Sequence, residues 1–140
     1  MAPIKTVLAL DVGQKRIGLA AASLIARLPA PVGVIAQDDQ TSEAIEAAVK
    51  EHNAMAVVVG WPRGLNGQPT AQTRFVEEFV TKLKKVLTVP VYLQDEALTS
   101  KQAEAELDLR KSGYNKEAID ALAATYILSD FLAEHPEFKE

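Results

Sequence analysis

The stretch TVLALDVGQKRIGLAAA, Thr6 to Ala22, decides how the rest of the chain is read. Thr6 to Leu10 is a short apolar run ending at Asp11, and Arg16 to Ala22 is a second apolar run. Between them lies Val12–Gly13–Gln14–Lys15, a polar turn with one glycine, so the spacing predicts a β-hairpin. Gly13 lets the backbone turn tightly and a ligand approach closely. A third strand, Val32 to Ala36, follows Pro29 and Pro31.

Beyond the hairpin the pattern alternates. A helix is expected from Ser42 to His52, capped by Thr41 or Ser42, with Ala44, Ile45, Ala48 and Val49 on its apolar face. Met55 to Val59 is a continuous apolar strand stopped by Gly60, and its lack of polar alternation predicts burial on both faces. Trp61 to Pro69 reads as a loop. A helix follows from Ala71 to Leu87, then a fifth strand from Val89 to Leu93 ending at Asp95–Glu96. Two helices close the pattern, Thr99 to Lys111 and Lys116 to Ala133, with Asn115 capping the second. The order βββαβαβαα predicts an α/β fold, a mixed five-stranded sheet flanked by helices. Ligands in such sheets favour the carboxyl ends of strands, where Asp11 and Asp95–Glu96 are expected.

Composition narrows the class. A length of 140 residues, 48% of them hydrophobic, suits a single domain spanning residues 1–140. There is no cysteine, which excludes disulfides and thiolate metal sites. No apolar run approaches the roughly 20 residues of a membrane span, and a cytoplasmic protein without membrane partners is expected. The formal charge of -4 runs against a generally basic nucleic-acid surface. Carboxylates gathered to hold a divalent cation would lower the net charge and still leave room for a local basic rim.

Three acidic positions invite a chemical reading, each beside a plainer one. Asp11 either holds a ligand at a strand end or merely starts a turn. Of Asp95 and Glu96, strand alternation lets only one face a site, and both also fit a solvated strand end. Asp120 lies on a helix with Ala123, Ala124, Ile127 and Phe131 as its angular neighbours. A carboxylate in an apolar stripe needs a partner, which is either a metal site or a single salt bridge or hydrogen bond. Together the three would form a hard oxygen pocket suited to Mg²⁺ or Mn²⁺. Lys15 and Arg16 would hold a phosphate, or form a solvated hairpin tip. Arg63, Arg74, Lys82, Lys84 and Lys85 make either a basic rim or a solvated face. Trp61 either stacks on a base or packs over the sheet. His52 and His135 are given no role.

Four ordered motifs then resemble one family across essentially the whole chain. They are Asp11–Val12–Gly13–Gln14–Lys15–Arg16–Ile17–Gly18; Gly60–Trp61–Pro62–Arg63–Gly64–Leu65–Asn66–Gly67; Asp95–Glu96–Ala97–Leu98–Thr99; and Ile119–Asp120–Ala121–Leu122–Ala123–Ala124. They resemble the YqgF/RuvX family of Holliday-junction resolvases. The resemblance implies a ribonuclease H-like fold related to RuvC. It implies catalytic acids at Asp11, Asp120 and the Asp95–Glu96 pair, with Glu96 favoured, and substrate contacts at Lys15, Arg16, Arg63 and Asn66. It further implies a Mg²⁺- or Mn²⁺-dependent endonuclease acting on structured DNA or precursor 16S rRNA, for which a homodimer would suit a two-fold symmetric junction. Ala97 stands where the family usually has arginine, and Ser23 where an aspartate often follows the second strand. Neither departure deletes the core acids, but Ala97 and the acidic charge favour a rival: a non-catalytic nucleic-acid- or ribosome-associated factor that keeps the fold. A nucleotide-hydrolysing domain of the actin/sugar-kinase type also opens with Asp-x-Gly, but 140 residues leave no room for its two lobes.

Overall fold

The computed structural model describes residues 4–62, 70–96, 105, 108–113 and 115–139. It contains strands β1 (Thr6–Val12), β2 (Arg16–Ser23), β3 (Ala30–Ala36), β4 (Ala54–Pro62) and β5 (Val91–Glu96). Three helices, α1 (Thr41–Glu51), α2 (Ala71–Val86) and α3 (Lys116–Glu134), accompany them. Residues 105 and 108–111 are also helical, and the rest of the helix expected from Thr99 to Lys111 lies outside the described residues. The strands form one mixed sheet in the order β3-β2-β1-β4-β5. β1–β2 and β2–β3 are antiparallel, while β1–β4 and β4–β5 are parallel.

The two faces of the sheet carry side chains of different size, and this sets the layers. Leu8, Leu10, Ile17, Leu19, Val57 and Val59 pack with α1 and α2. The opposite face presents Val7, Ala9, Ala20, Ala22, Ala56 and Val58 to α3. That floor of alanines lets α3 sink close to the sheet, and α3 fills the layer with Ile127, Leu128, Phe131 and Leu132. Phe131 meets Tyr92 of β5 with ring centroids 5.6 Å apart. Buried apolar area of this kind is the main favourable term in folding.

The closest approach is at Gly18. A Cβ built there would collide with the backbone carbonyl of Asp120 on α3. Asp11 is the cross-strand partner of Gly18, so α3 delivers Asp120 beside Asp11.

The strand limits differ from the sequence reading: β3 begins two residues early, at Ala30, and the ends of β4 and the bounds of β5 shift most. Gly60 does not stop β4: Gly60, Trp61 and Pro62 stay in register with Gln94, Asp95 and Glu96 of β5. Parallel pairing on one side is enough to extend both strands at their carboxyl ends, so β5 contains Asp95–Glu96 rather than preceding them; at its other end it starts at Val91, not Val89. In α1, Thr41 is the first helical residue rather than a cap, and Gln40 takes the cap position. The Thr41 hydroxyl accepts from Asp38 N at 2.8 Å and lies 2.8 Å from the Ala36 carbonyl, which fixes the turn into the helix. Asn115 caps α3 as the sequence suggests, its Oδ1 accepting from Glu117 N at 2.7 Å. No helix among the described residues is long and apolar enough to cross a membrane.

Gly18→Ala is expected to destabilise the fold by roughly 1–3 kcal/mol, because the added methyl must push α3 from β2. Urea melts of wild type and variant measure it; an unchanged midpoint would show that α3 yields without cost.

Candidate active site

Asp11 is the penultimate residue of β1 and shares its sheet face with Val7 and Ala9, the face that α3 covers. Its surroundings are fixed by the hairpin. Gly13 N donates to Arg16 O at 3.0 Å, and a Cβ on Gly13 would stand 2.7 Å from that oxygen, so the turn requires glycine. Two glutamines hold the tip from outside. Gln37 Nε2 donates to Gly13 O at 3.1 Å, and Gln72 Nε2 donates to Val12 O at 2.9 Å. Thr73 in the first turn of α2 donates to Pro62 O at 2.7 Å, tying the end of β4 to the same helix. The strand ends at the site are thus held by side-chain hydrogen bonds as well as by the sheet.

Asp11 and Asp120 line one open cavity of about 260 Å³, together with Gly13, Gln14, Lys15 and Arg16. Asp120 is the fifth residue of α3, with its side chain 20% exposed. The partner that this carboxylate requires is Arg16, whose Nε donates to Asp120 Oδ2 in an ion pair. The salt-bridge reading of Asp120 is therefore realised at the edge of the cavity that the metal reading needs. Lys15 is exposed on the rim.

The remaining expected site residues are placed less completely. Asp95 is exposed, in register with Trp61, and is not part of the cavity lining. Glu96 ends β5 in register with Pro62, and its side chain lies outside what the structure describes. Arg63 and Asn66 lie outside the described residues. Trp61 is half-buried against the core under α1 and α2, the packing role rather than a stacking one. Arg74, Lys82 and Lys85 share the outer face of α2 with Glu77 and Glu78, so acids interrupt that basic rim. Lys84 is exposed nearby.

Gln94 escaped the sequence reading. It is buried on β5 immediately before Asp95–Glu96, and its Nε2 donates to Glu134 Oε2 at 2.7 Å. It anchors the last strand to the end of α3. The available signal was its strand alternation with Tyr92, which puts an amide on a covered face that demands a partner.

Among the described residues no three His, Asp or Glu side chains are grouped to hold one ion. The donor chemistry at the cavity nevertheless fits a hard divalent cation. Two carboxylates from distant elements border it, and one already holds a cationic group.

The sequence profile of the family described as RuvX, Holliday junction resolvase, matches residues 5–134. The chain belongs to the RuvX family. A relative in Pseudomonas aeruginosa (strain LESB58), named "Putative pre-16S rRNA nuclease", is 31% identical over 139 residues, covering 96% of each chain. A relative of the same name in Caldanaerobacter subterraneus subsp. tengcongensis is 39% identical over 132 residues, covering 90% of this chain and 94% of its own. Solved structures share the fold. Thermus thermophilus RuvC, in complex with a Holliday junction substrate, superposes with a TM-score of 0.55 at 20% identity, covering 96% of this chain and 98% of RuvC. The fowlpox virus Holliday junction resolvase gives 0.53 at 12% identity, covering 94% and 98%. The RuvX chain thus has the ribonuclease H-like architecture of RuvC, with its first hairpin and last helix converging on the Asp11–Asp120 cavity.

Because the ion pair is partly exposed, with side chains 30% and 20% accessible, Asp120→Asn should cost up to about 1 kcal/mol by leaving the Arg16 guanidinium without its charged acceptor. Thermal melts in chelator test this. A variant as stable as wild type would mean that Arg16 finds another acceptor at no cost.

Proposed function

We propose that this RuvX chain is a metal-dependent nuclease that cleaves phosphodiester bonds in structured nucleic acid. The observation that carries the reading is the convergence of Asp11 and Asp120, from the first strand and last helix, on one cavity edged by Lys15 and Arg16. The names of the relatives point to precursor 16S rRNA, and the family description points to Holliday junctions. Both substrates present the same target, a phosphodiester in a folded or branched nucleic acid.

In this reading Asp11, Glu96 and Asp120 hold Mg²⁺ or Mn²⁺, with Asp95 as an accessory acid beside Glu96. A divalent ion bound there lowers the pKa of an attacking water and stabilises charge on the scissile phosphate. Asp11 and Asp120 are held by sheet and helix backbone, so they meet the cation without rearrangement of the chain. Lys15 and Arg16 sit where a phosphate would approach, and Arg63 and Asn66 extend the contact to the substrate backbone. The local cations offset an overall charge of -4, which would otherwise repel nucleic acid. On a two-fold symmetric junction, two copies of the chain would each present one such cavity to one strand.

The test is cleavage of a four-way DNA junction, a DNA duplex and a precursor 16S rRNA fragment, each with Mg²⁺ and with Mn²⁺. Asp11→Asn is expected to lose at least about a hundredfold in rate while retaining most nucleic-acid affinity, since phosphate contacts remain. Activity within about tenfold of wild type would remove Asp11 from the chemistry. Metal-independent binding of all three nucleic acids with no cleavage of any would instead favour the non-catalytic factor, consistent with Ala97 in place of the family's arginine. A further variant, Ala97→Arg, should steepen the salt dependence of binding by about one phosphate contact. An unchanged slope would place residue 97 away from the substrate.

A further inference from the structure

Arg16 stands at a point of competition. Its guanidinium holds Asp120 Oδ2, and both side chains border the cavity that Asp11 also lines. A divalent cation taken up between Asp11 and Asp120 would need the same carboxylate, and Arg16 cannot keep its ion pair with an oxygen that has become a metal ligand. Two positive charges at one carboxylate oxygen also repel.

The backbone of Arg16 is fixed while its side chain is not. The residue opens β2, pairs with Ala36 across the sheet, and accepts Gly13 N at its carbonyl. Its side chain is 30% exposed, so the guanidinium can turn outward on its flexible stem without moving a strand. Once released it lies on the same rim as Lys15, where its planar fork suits a phosphate better than an ammonium does.

We infer that Arg16 exchanges partners, holding Asp120 in the metal-free protein and a substrate phosphate once a divalent cation is taken up. The inference rests on the reading of Asp11 and Asp120 as metal ligands. It makes the two binding events reciprocal: cation uptake frees the phosphate-binding group, and phosphate binding draws Arg16 away from the carboxylate and tightens the cation. Arg16 thereby acts as a placeholder for positive charge that keeps Asp120 neutralised between turnovers.

Mn²⁺ titration of the full chain by calorimetry tests this with Arg16→Gln, Lys15→Gln and Asp120→Asn. Arg16→Gln is expected to bind Mn²⁺ roughly two- to fivefold more tightly than wild type, the fold-change equivalent of a partly exposed ion pair that no longer has to be broken. Lys15→Gln removes the same charge from the same rim without removing that pair, and should tighten binding less. Asp120→Asn should lose most of the affinity. Equal tightening in the two charge variants would reduce the effect to net charge and overturn the exchange, as would unchanged or weakened binding in Arg16→Gln. Wild-type affinity in Asp120→Asn would instead sink the underlying metal reading. Should Arg16→Gln fail to fold, wild-type protein labelled at arginine Nε still decides. The Arg16 Nε–H resonance must shift as Mg²⁺ saturates the site, and a resonance that stays in place overturns the proposal.

Discussion

Everything at the site depends on how closely α3 can lie on β2. The helix brings a carboxylate to the opening hairpin only because Gly18 offers no side chain where the Asp120 carbonyl must sit. The alanine floor around it, Ala9, Ala20, Ala22 and Ala56, continues the same concession along the interface. On the opposite face, leucine, isoleucine and valine fill the layer against α1 and α2. The sheet is therefore asymmetric in side-chain volume, and the thin side is the side that carries Asp11 and meets Asp120. Close packing makes that geometry rigid, since interiors tolerate little added volume.

Rigidity reaches the hairpin by a second route. A turn that projects from the end of a sheet would normally move more than the strands it joins. Here Gln37, just after β3, and Gln72 of α2 donate to the carbonyls of Gly13 and Val12. Thr73 does the same for Pro62 at the end of β4. Each satisfies a backbone acceptor; Gln72 and Thr73 tie the ends of β1 and β4 to α2 on the far face, and Gln37 ties the turn to the segment that follows β3. The backbone of Asp11 is consequently fixed, and freedom is left to the long side chains of Lys15 and Arg16.

Much of the architecture was legible in the sequence because it rests on local signals. The hairpin announced itself by two apolar runs around Gly13, the buried strand by Ala56 to Val59, with Met55 before them exposed, and the start of α3 by Asn115. Asp120 was legible as a carboxylate in need of a partner. What could not be read was the partner's identity, since Arg16 meets it across 104 residues of sequence and only the docking of α3 brings them together. Strand limits failed for a related reason. Gly60 has low strand propensity, but the ladder with Gln94 outweighs it, because pairing and not propensity sets where a strand ends. Gln94 itself reads as an ordinary polar residue until the covering helix supplies Glu134.

The same sequence separation orders events in time. Strands β1 and β2 can pair as a hairpin within microseconds, since only a short turn must close. The contact between Gly18 and Asp120 must close a loop spanning most of the protein, with a correspondingly larger entropic cost. The cavity is therefore absent from any partly folded chain in which α3 is still undocked, however well formed its first hairpin is. If Asp11 and Asp120 are its acids, as proposed, a nuclease built this way is born inert. On the proposed reading, its acidic pair comes together only when the final helix settles, so a folding chain or one opened by local unraveling carries no assembled Asp11–Asp120 cavity to turn on nearby nucleic acid.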